Sequence, residues 1–324
     1  MARILVSGGA GFIGSHVVDL LVENFHNVMV VDDFSTGKMD NISHHSEEDV
    51  LKLCCDITDM RCLSMAFLAF KPTIVIHLAA QAAITTAMED PMKDLAVNGI
   101  GTLNMLRMAE KHKVERFVYA STSAVYEEKR KIFAMKESIR LVPANEYGIS
   151  KLAGESYVRI SEIGSVILRF GNVYGPRQVP IGENQVIARM IRHFENGADF
   201  SIFGDGKQKR DFVFVGDVAE AVKIAATSGK PGIYNIASGK SRSVNEIARN
   251  LAEIYNVPMY PWSHDEARHD KRRSVRMNIR LAQEQLGWSP RVGLLEGLDK
   301  TAASFARVST FEGLEDIINW ENDE

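Results

Sequence analysis

The sequence predicts an α/β fold: a Rossmann-like, doubly wound parallel sheet followed by a smaller C-terminal α/β substrate domain. Three observations lead there. Short runs rich in Val, Ile and Leu alternate with longer amphipathic runs from Arg3 to Phe170. The short runs are apolar without polar alternation, the pattern of strands buried on both faces. A glycine turn, Gly8-x-x-Gly11-x-x-Gly14, closes the first short run and opens the first long one.

In chain order, "RILVS" (3–7) is a strand and "FIGSHVVDLLVEN" (12–24) a helix. "NVMVVD" (27–32), "VLKLC" (50–54) and "TIVIHLA" (73–79) are strands, with "MRCLSMAFLAF" (60–70) a helix between the last two. One long helix spans Asp94 to Lys111, then "RFVYAS" (116–121) is a strand, Glu146–Ser161 a helix and "SVILRF" (165–170) a strand. After Asn172 Gly and Pro cluster and the alternation becomes irregular. The expected division is a dinucleotide-binding domain over 1–171, with a returning segment near 212–237, and a substrate domain over 172–324.

Composition narrows the class. The chain has 324 residues, 45% hydrophobic and 25% charged, enough for a large core without covalent staples. Its net charge of -4 gives no basic field for nucleic acid or an anionic membrane. No apolar run approaches the roughly 20 residues that span a bilayer. The N-terminus reads as a strand and a turn and not as a signal peptide. Cys54, Cys55 and Cys62 are odd in number and two are adjacent, so no disulfide framework is expected and a reducing cytoplasm fits. The acidic tail "FEGLEDIINWENDE" reads as a solvated helix.

A strand–glycine turn–helix unit lets backbone approach a pyrophosphate, whose charge meets the helix N-terminus. Asp32 ends the second strand, 18 residues beyond Gly14, where a carboxylate meets ribose hydroxyls and repels a 2′-phosphate. NAD is therefore the expected cofactor. Asp56, after the third strand, is placed at the adenine edge, and "HLAAQA" puts small residues at the end of the fourth. His77 reads as structural. His44 and His45 have no Cys or His partner at metal spacing, so they read as solvated loop residues and no metal is expected.

"EYGISK" sets Tyr147 and Lys151 four residues apart on a helix, facing the same way. Tyrosine is a poor base at neutral pH; lowering its pKa by about 3 units needs about 4 kcal/mol. The Lys151 ammonium and a positive nicotinamide ring are the expected sources. The phenolate would then take a proton from an alcohol while the nicotinamide accepts hydride. One hydroxyl of Ser121, Thr122 and Ser123, at the end of the neighbouring strand, would hold the same alcohol.

These segments, together with "DDFSTGKMDNI", "VNGIGTLNML", "STSAVY", "LRFGNVYGPRQ", "IFGDGKQKRDFVFVGDVAEA", "YNIASG" and "LGWSP", resemble the extended short-chain dehydrogenase/reductase family. The likeness is greatest to its sugar-nucleotide epimerases of the UDP-glucose 4-epimerase type and runs from residue 3 to residue 290. It implies that Gly8, Gly11, Phe12, Ile13 and Gly14 hold the pyrophosphate. Asp32, Asp33, Phe34, Ser35, Thr36 and Gly37 would line the adenosine ribose, and Asp56 and Ile57 the adenine. Leu78, Ala79, Ala80, Gln81 and Asn98 would lie along the cofactor, together with Tyr147 and Lys151. Thr122, four residues before Tyr126, becomes the catalytic hydroxyl, with Ser121 and Ser123 supporting it.

The resemblance further implies UDP-sugar contacts at Thr122, Tyr147, Asn172, Val186, Ile202, Phe203, Arg210 and Arg268. The basic run "RHDKRR" (268–273) is then a diphosphate clamp. Val275, where glucose-restricted relatives often carry a bulky Tyr, leaves room for an N-acetyl group. The implied reaction is NAD-dependent 4-epimerisation of a UDP-hexose, in a homodimer formed through helices near 94–111 and 146–161. Related dehydratases carry Asp-Glu directly after the active threonine, and related decarboxylases carry Glu two residues after it. Here Ser123 and Ala124 stand there, so the acid for elimination or decarboxylation is missing. A UDP-glucuronate 4-epimerase needs no such acid and stays open, whereas a non-catalytic NAD-binding regulator would lack the Tyr147–Lys151 pair. Glu127 stands where the family has glycine.

Overall fold

A computed structural model describes residues 2–127, 134–179, 185–197, 200–257, 263–265 and 274–306. The strands are β1 (Arg3–Ser7), β2 (Asn27–Asp32), β3 (Val50–Cys54), β4 (Ile74–His77), β5 (Arg116–Thr122), β6 (Gly164–Phe170), β7 (Asn172–Tyr174), β8 (Ser201–Phe203), β9 (Lys209–Phe214), β10 (Gly232–Ile236), β11 (Ser241–Ser243) and β12 (Ser263–Asp265). Seven of them form one sheet in the order β10-β6-β5-β4-β1-β2-β3. Every pairing in it is parallel. The chain order reverses at β1, which lies between β2 and β4. A crevice opens at such a point, beyond the carboxyl ends of the strands.

The helices are α1 (Phe12–Glu23), α2 (Met60–Phe70), α3 (Ile84–Glu89), α4 (Pro91–Leu95), α5 (Thr102–Lys111), α6 (Glu146–Ile160), α7 (Val186–Asn196), α8 (Val215–Thr227) and α9 (Val244–Ile254). One face of the large sheet packs Val17, Val18 and Leu21 of α1 and Val218 and Val222 of α8 against Ile4, Val6 and Val30. The other face packs Leu63 and Phe67 of α2 and Met105 and Leu106 of α5 against Leu5, Val75 and Phe117. Both faces are covered, which is why the strands read as uninterrupted apolar runs. A separate apolar cluster joins α7 and α9 to Tyr174, Ile202 and Phe212.

The helix expected over Asp94–Lys111 begins earlier and is interrupted. Pro91 occupies its first turn, and the Asp90 side chain accepts from Lys93 N. A π-turn over Ala96–Gly101 then separates α4 from α5. It brings the helix onto the loop after β3: a Cβ on Gly101 would stand 2.5 Å from Ile57 Cδ1.

The cysteines also depart from expectation. Cys55 and Cys62 are joined by a disulfide with Cα atoms 6.0 Å apart, while Cys54 is free and exposed. Asp59 caps α2 by accepting from Arg61 N and Cys62 N, and this turn carries Cys62 back to Cys55. Among the described residues no helix is long and apolar enough to cross a membrane. Arg268, the run 268–273 and the acidic tail lie outside the described residues.

Candidate active site

At the reversal point Gly8 takes φ +71, and a Cβ there would stand 2.6 Å from Ala79 N. A Cβ on Gly14 would stand 2.0 Å from Gly8 O. The turn thus folds so tightly against itself and the end of β4 that these positions have no room for a side chain. Gly11 is the N-cap of α1 and offers no side-chain cap, so the helix keeps its first amides for an anion. Asp32 Oδ2 accepts from Ala10 N at 2.9 Å and Oδ1 from Phe34 N at 2.9 Å. Burial pushes this carboxyl up, against those two hydrogen bonds. Asp32 thereby locks the glycine turn and the following loop into one cradle, with Asp33, Ser35 and Thr36 exposed and Phe34 partly exposed along its rim. This set of glycines, open amides and a carboxylate fits an NAD pyrophosphate and ribose.

Asn98 connects the cradle to the reacting end. Its Oδ1 accepts from Gln81 N at 3.0 Å; its Nδ2 donates to Gln81 O at 2.9 Å, Asp94 Oδ1 at 2.9 Å and Ser150 Oγ at 3.1 Å. The loop after β4, the π-turn and α6 are therefore held together by one buried amide. Leu78, Ala79 and Ala80 stay partly exposed along this loop, Asp56 is exposed and Ile57 buried.

Thr122 ends β5 and caps the short 3₁₀ turn Ser123–Val125, its Oγ1 accepting from Ala124 N at 3.1 Å. Asn145 caps α6 by accepting from Gly148 N at 2.8 Å. A Cβ on Gly148 would stand 2.7 Å from Ala124 O, so the start of α6 lies directly on the hydroxyl strip. That contact brings Tyr147 beside Thr122, whose hydroxyl favours the phenolate. Lys151, one turn on, is buried, its Nζ 4.5 Å from the centre of the Tyr119 ring.

Burial governs the electrostatics of the protein's own groups here. Burial pushes the Tyr147 phenol up to about 12, opposed by the neighbouring Thr122 hydroxyl and reinforced by Asp94. Burial pushes the Lys151 ammonium down to about 7, opposed by Asp94 and Glu155. The protein alone therefore does not lower the tyrosine. Desolvation of the phenolate outweighs what the surrounding groups supply.

Other expectations sort plainly. Ser121 Oγ donates to Glu155 Oε2 at 2.7 Å, and Ser123 is partly exposed. His77 is structural: its ring bonds Ser7 Oγ at 2.6 Å and Thr102 Oγ1 at 2.9 Å, and burial pushes it down to about 3. His44 and His45 are not simply solvated, since both rings bond Asp19 of α1. Of the residues expected at the substrate, Asn172 opens β7 beside Phe212, Val186 opens α7, and Arg210 lies in β9, each partly exposed. Phe203 is partly exposed, whereas Ile202 is packed into the apolar cluster of the C-terminal part. Val275 is buried beside Val125 and Tyr126.

Residues that the sequence did not single out complete the site. Asp94 is buried and bonded to Asn98 and Gln81. Glu155 is buried against Ser121 and Arg169. Arg169 bonds the Tyr126 hydroxyl at 3.0 Å, and Tyr126 donates to Asn235 Oδ1 at 2.6 Å, which ties the strip to β10. Spacing alone offered a signal for two of them: Asp94 precedes Asn98, and Glu155 follows Lys151, by one helical turn.

Fold and site together define a dinucleotide-binding enzyme of the short-chain dehydrogenase type. The chain belongs to the NAD dependent epimerase/dehydratase family, whose model matches residues 4–237. It is 35% identical to a UDP-glucose 4-epimerase of Mycolicibacterium smegmatis, over 95% of this chain and 99% of that one. It is also similar to the solved UDP-glucose 4-epimerase of Thermotoga maritima with UDP-glucose: TM-score 0.89, 37% identity, 94% of this chain and 99% of that chain. A third likeness is to the Thermus thermophilus UDP-glucose 4-epimerase complex with NAD: TM-score 0.87, 35% identity, 94% and 98% covered.

Proposed function

We propose that this protein catalyses NAD-dependent 4-epimerisation of a UDP-hexose, interconverting the glucose and galactose forms and accepting the N-acetyl forms. The observation that carries the reading is the start of α6 packed directly on the Thr122–Ala124 strip, which sets Tyr147 beside Thr122 with Lys151 one turn away and Ala124, not an acid, next to it. Bound NAD supplies the hydride acceptor and donor at C4. Tyr147 takes the proton of the C4 hydroxyl and later returns it. Thr122 Oγ1 orients that hydroxyl, and the Lys151 ammonium stabilises phenolate. Asn172, Arg210 and Arg268 hold the diphosphate or sugar while the 4-keto sugar turns over and presents its other face. Ala124 leaves no side-chain acid to drive loss of water or CO₂.

We also propose that residues 1–171, with the segment near 212–237, carry NAD, and that 172–324 carry the UDP-sugar in a cytoplasmic homodimer. Exposed Leu95 and Ile100 near 94–111, and Ile149, Tyr157 and Ile160 on α6, support an interface through the two helices near 94–111 and 146–161. Incubation with UDP-glucose, UDP-N-acetylglucosamine and UDP-glucuronate, with products identified by NMR, tests the reaction. Inversion at C4 of the first two supports it; loss of water or CO₂ without inversion sinks it.

A further inference from the structure

The loop after β2 and the outer face of α1 hold a cluster that the reaction does not use. His44 Nε2 lies 2.9 Å and His45 Nε2 2.8 Å from the same oxygen, Asp19 Oδ1. The two rings are 4.0 Å apart and tilted by 43°, so both present the same edge. The second carboxylate oxygen, Asp19 Oδ2, is ion-paired to Arg177 at 2.8 Å. We propose that His44, His45 and Asp19 form a site for one divalent cation of the zinc class, with water in the fourth position.

The donor atoms already lie within 4.8 Å of one another. Zinc bonds of about 2.0–2.1 Å in a tetrahedron separate ligands by about 3.3 Å, so each histidine nitrogen needs to part from Asp19 Oδ1 by only about half an ångström. Two imidazoles and one carboxylate suit zinc, cobalt or nickel, and are poor for magnesium or calcium, which take all-oxygen sets. On binding, the metal replaces the protons that the two Nε2 atoms share with Asp19. Arg177 then does what outer partners of ligating carboxylates do: it fixes the orientation of the group while leaving Oδ1 to the ion. Its charge opposes the cation, so this set should hold zinc more weakly than one without a guanidinium. Burial pushes the Asp19 carboxyl up, but the hydrogen bond from His45 and the charge of Arg177 outweigh it, and the carboxylate is kept ionised. The His44 side chain is 48% exposed, which gives the ion an entry, while that of His45 is 11% exposed and positioned.

The ligands come from two elements, α1 and the loop before β3. Only the folded chain assembles them, and an ion there fastens the helix of the glycine turn to the loop that follows the ribose cradle. A ligand that binds the folded state alone raises the melting temperature with its concentration.

The test uses tag-free, NAD-loaded protein stripped with chelator, titrated with zinc by calorimetry and with cobalt by visible absorption. One zinc per chain, a tetrahedral cobalt spectrum, a melting temperature that rises with zinc, and no heat with magnesium are expected. His44→Ala is expected to weaken zinc at least tenfold with epimerisation unchanged, and His44→Ala/His45→Ala to abolish both signals. Absence of saturable zinc binding, or binding unchanged in the double variant, overturns the site. Circular dichroism of each variant separates lost binding from lost fold.

Discussion

Asp94 Oδ1 accepts a hydrogen bond from Asn98 Nδ2 at 2.9 Å, and the other oxygen of this buried carboxylate has no hydrogen-bond partner among the described residues. The charge of Asp94 raises both Tyr147 and Lys151. Asp94→Asn removes that charge and keeps an acceptor for Asn98. Activity rises as Tyr147 loses its proton and falls as Lys151 loses its own. With both groups lowered, both limbs of the pH–rate profile are expected to move to lower pH. A profile that stays in place, measured as kcat against pH, would show that Asp94 acts only as a structural support.

Tyr147→Phe removes the acid–base group and is expected to lower kcat by about 10²–10⁴ with fold and NAD content preserved. Thr122→Val removes a hydrogen bond to a group that becomes charged, a loss of about 1.5–3 kcal/mol, or roughly ten- to 150-fold in kcat. Thr122→Ser is expected to recover most of it. Equal recovery in Thr122→Ala would show that the hydroxyl is idle.

Lys151 makes stability pH-dependent in a direction that can be stated. Its folded pKa, about 7, lies below the ordinary lysine value of 10.5. Between those values the unfolded chain binds the extra proton, so this group adds stability as pH rises from about 7 toward 10. Lys151→Met has no such gain. The melting temperature of the variant relative to the parent is therefore expected to be higher at pH 7 than at pH 9. A difference that is constant with pH would contradict the buried ammonium.

Glu155 and Arg169 form a buried ion pair, with Arg169 Nε donating to Glu155 Oε2 at 3.1 Å. Glu155→Gln leaves the guanidinium uncompensated and is expected to cost about 3–5 kcal/mol in urea unfolding. Glu155→Leu/Arg169→Met is expected to lose less than the single change. A loss below 1 kcal/mol in the single variant would argue that water reaches the pair.

Gly14→Ala would put a methyl 2.0 Å from Gly8 O, a backbone atom that cannot rotate aside. Overpacking of this kind costs about 1–3 kcal/mol, and here it also opens the pyrophosphate turn. The purified variant is expected to carry markedly less NAD by absorbance. Full NAD content would refute the need for this close approach.

The linear sequence determined whatever depends on local spacing: both-face-buried strands, the glycine turn before α1, Asp32 at the end of β2, and Tyr147 and Lys151 one helical turn apart. Each is a matter of neighbours along the chain, where side-chain direction follows directly from helix or strand period. Only the tertiary structure decided what depends on distant segments meeting. Asp94 acts on Lys151 of α6 from another helix, Arg169 of β6 meets Glu155, and Asp19 reaches His44 and His45 from another element. Burial belongs to the same class, because desolvation is set by everything packed around a group. At Tyr147 it works against the phenolate, pushing the phenol of the protein alone up to about 12.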